Sequence, residues 1–125
     1  MTTQNTTIWL GKYEYFELPS LEPDSIKDAP GNYVMGKPLG LGKWAAVYAG
    51  STPNGGTLRQ RIPGHEKWLD AIALGATTIW AHVNHDPVSM AAEERDLIAT
   101  LNPPLNVQHR TIPTESEGLF GRRGF

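Results

Sequence analysis

Apolar and polar residues alternate along the chain in patterns that predict several short strands. Residues 31–36 and 44–50 are rich in strand formers, and Gly and Pro residues lie between them, which predicts an antiparallel hairpin with a flexible basic loop at 37–43. Residues 77–83 predict a third strand. Residues 8–18 show partial alternation and predict one further strand outside this group.

Two short helices are predicted between the hairpin and the third strand. Thr57 is a favourable N-cap residue, so a helix is predicted over 57–62. A second helix is predicted over 65–74, with Gly75 as its C-terminal stop. Its buried face is predicted to consist of its large apolar residues: Trp68, Leu69 and Ile72.

The third predicted helix contains a carboxylate in an unusual place. Asp86 followed by Pro87 predicts its start, and it runs to about residue 101. Its apolar residues form one stripe at helical spacing: Met90, Ala91, Leu97, Ile98 and Leu101. Glu94 is predicted at the centre of this stripe, where a carboxylate is costly unless it is paired or binds a metal. Three interpretations of Glu94 follow: a buried salt bridge to an arginine, a stripe whose central turn faces a groove, or a metal ligand or acid–base group at the floor of a cleft.

This order of elements predicts an α+β fold with a small three-stranded antiparallel sheet flanked by helices. The 125 residues fit a single domain, predicted over 30–106. Residues 1–29 are predicted as a partly disordered N-terminal extension and 107–125 as an irregular C-terminal tail. The chain has no cysteine, which excludes disulfide frameworks, thiolate zinc sites and thiol catalysis. A polar N-terminus and short apolar runs predict a cytoplasmic protein without a membrane partner.

Charge is distributed unevenly, although the net charge is only −2. Residues 1–30 carry −3, residues 31–69 carry +4 and residues 70–125 carry −3. The cationic middle either contacts nucleic acid or is a solvated basic face with no partner. Its cations are Lys37, Lys43, Arg59, Arg61 and Lys67.

Arg61 and His65 form a second polar group, four residues apart. Arginine and histidine beside a carboxylate suit stabilisation of a phosphoryl transition state. The alternative is a surface arginine and a helix-terminal histidine. The segment 36–43 resembles a phosphate-binding loop, but its spacing is one residue too long and Trp44 replaces the Ser or Thr, so this interpretation is rejected.

Two further groups are predicted to be structural. A metal site is the less favoured interpretation for His82, His85 and Asp86, because the two histidines straddle the end of a strand. The tryptophans are predicted to lie in the core, with stacking on a base as the alternative for one at a cleft rim. They are Trp9, Trp44, Trp68 and Trp80.

An ordered set of short motifs carries a resemblance to a known family. The motifs are Pro30-Gly31-Asn32-Tyr33, Tyr48-Ala49-Gly50, Leu58-Arg59-Gln60-Arg61, His65, Glu94-Arg95-Asp96-Leu97-Ile98 and Pro103-Pro104-Leu105-Asn106. In this order and spacing they resemble the GIY-YIG nuclease domain, which occurs in the repair nuclease UvrC, in some homing and restriction endonucleases and in small stand-alone proteins. The resemblance covers about residues 30–106.

The resemblance implies a set of catalytic roles. Tyr33 would be the general base or would orient the attacking water, and Tyr48 would line the phosphate. Arg61 would stabilise the pentacovalent transition state, and His65 would assist proton transfer or contact the phosphate. Glu94 would hold a single divalent ion, Mg²⁺ or Mn²⁺. The implied reaction is hydrolysis of DNA phosphodiester bonds by in-line attack of water, leaving 5′-phosphate and 3′-hydroxyl ends.

The resemblance also implies a supporting role for Asn106, which would hold the catalytic residues in position without contacting the substrate. Asn32 and Ala49 replace the central Ile of the two Tyr motifs and are expected to pack on the opposite face of their strands. The substrate would be bound by basic residues around the site: Lys37, Lys43, Arg59 and Lys67.

Three functions compete at this point. The leading hypothesis is a metal-dependent DNA endonuclease, with a protein partner or a second copy supplying specificity. The alternative is a non-catalytic nucleic-acid-binding or assembly module that retains the fold, which the net charge favours. A third possibility is a structural component that neither binds nor cleaves nucleic acid.

Overall fold

The computed structural model describes residues 7–109, which form five strands and three α-helices and confirm the predicted α+β class. The strands are β1 (Thr7–Leu10), β2 (Tyr13–Glu17), β3 (Gly31–Gly40), β4 (Lys43–Ser51) and β5 (Thr78–Val83). The helices are α1 (Leu58–Arg61), α2 (Trp68–Ala73) and α3 (Pro87–Leu101). Two 3₁₀ segments cover Pro23–Ser25 and Pro104–His109. Within this part of the chain, no helix has the length and apolar character needed to cross a bilayer.

The strands form one antiparallel sheet in the order β1-β2-β5-β3-β4. The sheet therefore has five strands where the sequence predicted three. The region predicted as a single strand over 8–18 divides at Gly11, whose φ of +63° reverses the chain into a hairpin. The second strand of this hairpin then pairs with β5, so residues assigned to an N-terminal extension complete the sheet.

The β3–β4 hairpin is longer than predicted, and the flexible basic loop expected at 37–43 does not form. The strands continue to Gly40 and Lys43, and only two residues connect them. Leu41 and Gly42 both have positive φ, 56° and 76°, which matches the right-handed twist of the flanking strands. Leucine rarely adopts this conformation, so the residue type at this position did not predict a tight turn.

The two faces of the sheet are covered by different helices. Side chains alternate between the faces of a strand, so neighbouring residues of β3 enter different cores. Tyr33 and Met35 pack with α1 and α2, whereas Val34 packs with α3. On the first face Leu58 and Ile62 close the core, and each such fully buried side chain contributes about 1.5–3 kcal/mol.

Helix α2 packs differently from its predicted orientation. It contacts the core through buried Ala71 and partly buried Trp68, while Leu69 and Ile72 are 77% and 45% exposed. At about 100° per residue, Leu69 points roughly 130° away from the centre of that contact. A helix of six residues buries only one small and one large side chain, so counting its apolar residues predicted the wrong face.

Three of the four tryptophans contribute to the core as predicted, and Trp9 does not. Trp80 is buried, Trp44 packs edge-on against it at a centroid distance of 4.7 Å, and Trp68 is partly buried. Trp9 lies on the edge strand β1 and is 64% exposed.

Helix α3 has the predicted bounds, but the buried carboxylate is Glu93 and not Glu94. The Asp86 side chain accepts from the Val88 N–H and caps the helix as predicted. The residues that α3 buries are Met90, Glu93, Leu97 and Ile98. Ala91 is exposed, but leaving it out of the stripe moves the centre by only about 20°, so the apolar spacing alone does not place Glu93 inside.

The Glu93 carboxylate is 2% exposed and is hydrogen-bonded by three residues from outside α3. The Tyr15 hydroxyl donates to Oε2 at 2.5 Å, and His82 Nδ1 lies 2.8 Å from the same oxygen. The Asn84 amide donates to Oε1 at 3.4 Å. His82 is therefore structural, as predicted, and its partner is a residue that the sequence did not single out.

Removing the Tyr15 hydroxyl should destabilise the fold more than removing a similar hydroxyl nearby. Tyr15→Phe deprives a buried carboxylate of a donor, so we expect a loss of about 1.5–3 kcal/mol in the free energy of unfolding, measured by urea denaturation. Tyr13→Phe is the matched control, because its hydroxyl donates to Asp96 in a partly exposed position, and it should cost under about 1 kcal/mol. Equal losses in the two variants would contradict this account of Glu93.

Candidate active site

A buried tyrosine–histidine pair forms the floor of the candidate site. Tyr33 is on β3, the strand between β4 and β5, and His65 follows α1 in the turn that leads to α2. Both residues are buried, and Tyr33 Oη lies 2.8 Å from His65 Nε2. Gly64 has a φ of +73°, which allows the chain to reverse direction immediately before His65.

The hydrogen bonds of His65 determine which of its nitrogens carries the proton. Nδ1 accepts from the backbone N–H of Lys67 at 2.9 Å, so in the neutral ring Nε2 carries the proton and donates to the Tyr33 oxygen. Burial, with a further contribution from the Arg61 charge, lowers the pKa of His65 to about 4. His65 is therefore a neutral donor to Tyr33 at pH 7 and cannot take a proton from it through Nε2.

Tyr48 completes an aromatic cluster with these two residues. Its ring centroid lies 5.4 Å from that of His65 and 6.3 Å from that of Tyr33. Gly50 pairs with Tyr33 across the two strands, and a Cβ at Gly50 would meet the Tyr33 ring at 2.8 Å. The glycine of the Tyr48-Ala49-Gly50 motif therefore makes room for the tyrosine of the first motif.

Arg61 brings a positive charge to the edge of this cluster. It is the last residue of α1, and its two terminal nitrogens donate to the Glu66 carboxylate at 2.8 Å each. Burial raises the pKa of both Tyr33 and Tyr48, and the Arg61 charge opposes this shift. The hydrogen bonds from Arg61 lower the pKa of the exposed Glu66 to about 2.

Glu94 approaches the cluster from α3, on the opposite side of the sheet from α1. The Ser51 hydroxyl, at the end of β4, donates to Glu94 Oε1 at 2.5 Å. Burial raises the pKa of Tyr33 and Tyr48, and the negative charge of Glu94 adds to this rise. Ser51 was not among the predicted site residues, although it directly follows the Tyr48-Ala49-Gly50 motif.

Asn106 supports the site without entering it. It is fully buried, its Nδ2 donates to the Ala49 carbonyl and its Oδ1 accepts from the Ala49 N–H, both at 2.8 Å. These two bonds hold the edge strand β4 at the residue next to Tyr48. Ala49 packs on the α3 side of the sheet, as expected for the central position of its motif.

Asn32, the other central position, also meets α3. Its Nδ2 donates to the Met90 carbonyl at 3.0 Å, whereas its buried Oδ1 has no hydrogen-bond partner within residues 7–109. Asn32 pairs in register with Ser51 on one side and His82 on the other. Ser51, Asn32 and His82 therefore form a row of polar residues across the sheet. The two ends of the row contact α3, Ser51 through Glu94 and His82 through Glu93.

The four predicted substrate-binding cations do not gather at one place. Lys67 is next to the site, since its charge lowers the pKa of His65. Arg59 donates through Nε to the Ile26 carbonyl and faces the segment that precedes β3. Lys37 packs near Gly75, and Lys43 lies at the hairpin tip, five residues and about 17 Å along β4 from Tyr48.

The donor set at Glu94 is compatible with a lightly coordinated Mg²⁺ or Mn²⁺. No group of three or more His, Asp or Glu side chains converges within residues 7–109, so a closed metal cage is absent from this region. Glu93 is hydrogen-bonded to three residues and is not available as a metal ligand. Glu94 is therefore the α3 carboxylate that could hold an ion near Tyr33 and Tyr48. Mg²⁺ is commonly held by one or two carboxylates, with waters and substrate phosphate oxygens as its other ligands.

Comparison with known proteins adds no relative from which a function could be inferred. No family model matches the chain, and no curated protein or solved structure matches it either. The site itself therefore carries any proposal of function. Tyr33, Tyr48 and His65 form one cluster, Arg61 lies at its edge, Glu94 is bonded to Ser51 at the end of β4, and Asn106 holds β4 next to Tyr48.

Protonation of His65 should make stability depend on pH between about 6.5 and 4. The unfolded histidine takes up a proton near its ordinary pKa of 6.5, but the folded one resists protonation until about pH 4. Stability is therefore retained above pH 6.5 and falls as the pH drops through this window, by on the order of 3 kcal/mol in total.

Urea denaturation at a series of pH values measures this effect, with His65→Asn as the comparison. Because Asn does not titrate, the difference in unfolding free energy between the native chain and the variant should shrink from pH 7 to pH 4. The other histidines are present in both proteins and cancel in this difference. A constant difference across the window would refute the neutral, buried state of His65.

Proposed function

We propose that this protein is a metal-dependent endonuclease that hydrolyses phosphodiester bonds of DNA. The observation that carries the proposal is the convergence of Tyr33, Tyr48, Arg61, His65 and Glu94 from separate elements of the fold. Their order along the chain resembles that of the GIY-YIG nucleases, and the buried Asn106 behind the site agrees with the role which that resemblance implies.

In the proposed reaction, Tyr33 orients the attacking water by hydrogen bonding to it, and the proton that the water loses as the new P–O bond forms passes through solvent to the leaving 3′ oxygen. Burial raises the pKa of Tyr33, so the residue is a neutral phenol before substrate binds. The His65 Nε2–H donates to the phenol oxygen and holds it in place, and the Arg61 charge lies nearby, where it stabilises the negative charge that develops on the phosphate. The 3′ oxygen leaves in line with the water, which gives a 5′-phosphate and a 3′-hydroxyl.

Glu94 would hold the divalent ion, which when bound supplies Lewis acidity and neutralises charge on the phosphate and the leaving oxygen. Arg61 would stabilise the remaining negative charge on the non-bridging oxygens. The two terminal nitrogens of Arg61 donate hydrogen bonds to the exposed Glu66 carboxylate. When substrate binds, the phosphate would take the place of this carboxylate. This exchange supports the choice of Arg61 over Arg59, whose Nε is committed to the backbone.

Substitution of Glu94 is the direct test. Glu94→Gln keeps the shape of the side chain and removes its charge, so we expect loss of at least about 100-fold in nicking rate of supercoiled plasmid with Mg²⁺ or Mn²⁺. EDTA should abolish nicking by the native protein. Glu14→Gln, an exposed carboxylate on β2, should cleave normally.

Circular dichroism and urea denaturation of each variant would show whether its fold is intact. Metal-dependent nicking that survives in a folded Glu94→Gln protein would overturn the mechanism. Absence of nicking by the native protein on plasmid, branched and single-stranded DNA in either metal would count against the enzyme itself.

Ser51 is expected to position the Glu94 carboxylate for the metal. Ser51→Ala removes the hydrogen bond to Oε1, and loss of such outer contacts weakens metal affinity by about 10–100-fold. The Mg²⁺ concentration for half-maximal cleavage should therefore rise at least about tenfold, with a smaller effect on the rate at saturating metal. Ser51→Thr keeps the hydroxyl and should restore the native metal dependence. An unchanged metal dependence in Ser51→Ala would show that Ser51 has no such role.

A non-catalytic nucleic-acid-binding or assembly module with the same fold is the second candidate. The observation that favours it is the scattering of the basic residues, because Arg59 and Lys43 lie away from the site and Arg61 is paired with Glu66. This candidate predicts salt-sensitive binding without product in any metal. If the protein is an enzyme, the same scattering implies that a protein partner or a second copy supplies much of the DNA affinity.

A further inference from the structure

A cleft of about 270 Å³ opens between the loop that follows β4 and the start of α3. Its lining includes three prolines and a methionine, together with an exposed asparagine and an exposed histidine. These residues are Pro30, Pro53, Asn54, His85, Pro87 and Met90. The mechanism proposed above uses none of them.

The composition of this cleft selects the chemistry of its occupant. None of the residues that line it is a lysine, arginine, aspartate or glutamate. A phosphate group would find no cation there, and an aliphatic chain would make no use of the Asn54 amide and the His85 imidazole. An uncharged planar group with polar edges fits both features, because its faces pack on the apolar wall while Asn54 and His85 hydrogen-bond to its edge. A cavity of about 150 Å³ already accommodates benzene, so the volume suffices for one nucleobase.

The position of the cleft connects it to the candidate active site. A second, smaller cleft of about 110 Å³ shares Pro53, Gly56 and Thr57 with it and is lined on the far side by Arg61. Met90 lies one helical turn before Glu94, about 6 Å away on the same helix. The uncharged cleft therefore lies between Arg61 and Glu94, the two residues that are proposed to act on the phosphate and on its metal ion.

We infer that this cleft binds one unpaired nucleobase, from the nucleotide next to the phosphate that is cleaved. The inference depends on the proposed nuclease function and narrows its substrate class. A base inside a duplex stack cannot enter a side pocket unless it is extruded. The preferred substrates are therefore single strands, flaps or bulges with an unpaired nucleotide at the cleavage point, and continuous duplex such as plasmid is cleaved more slowly than these.

The test uses single-stranded oligonucleotides in which 2-aminopurine replaces one base at a time. Two quantities are measured for each position: the cleavage rate with Mg²⁺, and the 2-aminopurine emission on binding in EDTA, which reports removal of the base from its stack. We expect one position beside the cleaved bond to show an emission change that its neighbours lack. An abasic nucleotide at that position should lower kcat/KM at least about tenfold.

The double variant Asn54→Ala, His85→Ala should lose that emission change and lower kcat/KM for the intact strand by a similar factor. It should show no further loss on the abasic strand, because the interaction is already absent. Val88→Ala, an exposed residue at the start of α3 that does not line the cleft, is the matched control and should behave as the native protein does.

The outcomes separate this inference from the proposed function. Cleavage with equal emission at all positions, or with an abasic effect that persists in the double variant, would overturn the base-binding cleft and leave the nuclease standing. A position-specific emission change without cleavage would refute the nuclease and support the cleft as a base-binding site. Neither cleavage nor an emission change would overturn both.

Discussion

The buried carboxylate of Glu93 is the contact on which the geometry of the candidate site depends. Tyr15 of β2, His82 of β5 and Asn84 in the following loop all hydrogen-bond to it, so it fixes α3 against the sheet. Successive residues of a helix are rotated by about 100°, and fixing Glu93 inward turns Glu94 toward Ser51 and the phenols. The hairpin that supplies Tyr15 is therefore part of the framework of the site.

Such a contact serves specificity more than net stability. Removing a carboxylate from water is costly, and good partners only offset that cost, whereas a partly satisfied buried charge is strongly destabilising. Of the orientations available to α3, the one observed satisfies Glu93 with three partners and keeps Leu97 and Ile98 in the core. If the buried face of α3 were purely apolar, the helix could rotate more freely about its axis, and the direction of the Glu94 side chain would be less well defined.

Local signals in the sequence predicted their elements well, and contacts between distant segments were predicted poorly. Asp86 with Pro87 fixed the start of α3, and Thr57 with Gln60 forms a capping box, because such signals act within one turn of helix. The pairing of β2 with β5 and the Tyr15–Glu93 hydrogen bond join residues 63 or more positions apart, so no local window of sequence contains them. Glu94, Arg61 and His65 were singled out from local spacing, whereas Tyr33, Tyr48 and Asn106 became site candidates only because the order of the motifs resembles a known family, and Ser51 was missed.

The candidate site combines a rigid floor with an exchangeable rim. Tyr33 and His65 are buried and joined by a hydrogen bond whose direction the Lys67 backbone fixes, so they hold one arrangement before any ligand arrives. The Arg61–Glu66 pair lies at the surface, where an ion pair contributes only about 0–1 kcal/mol, so Arg61 can exchange its partner at little cost. A site that must recognise a phosphate and then release it needs this division, because pre-organised groups lower the barrier while weakly held ones allow turnover.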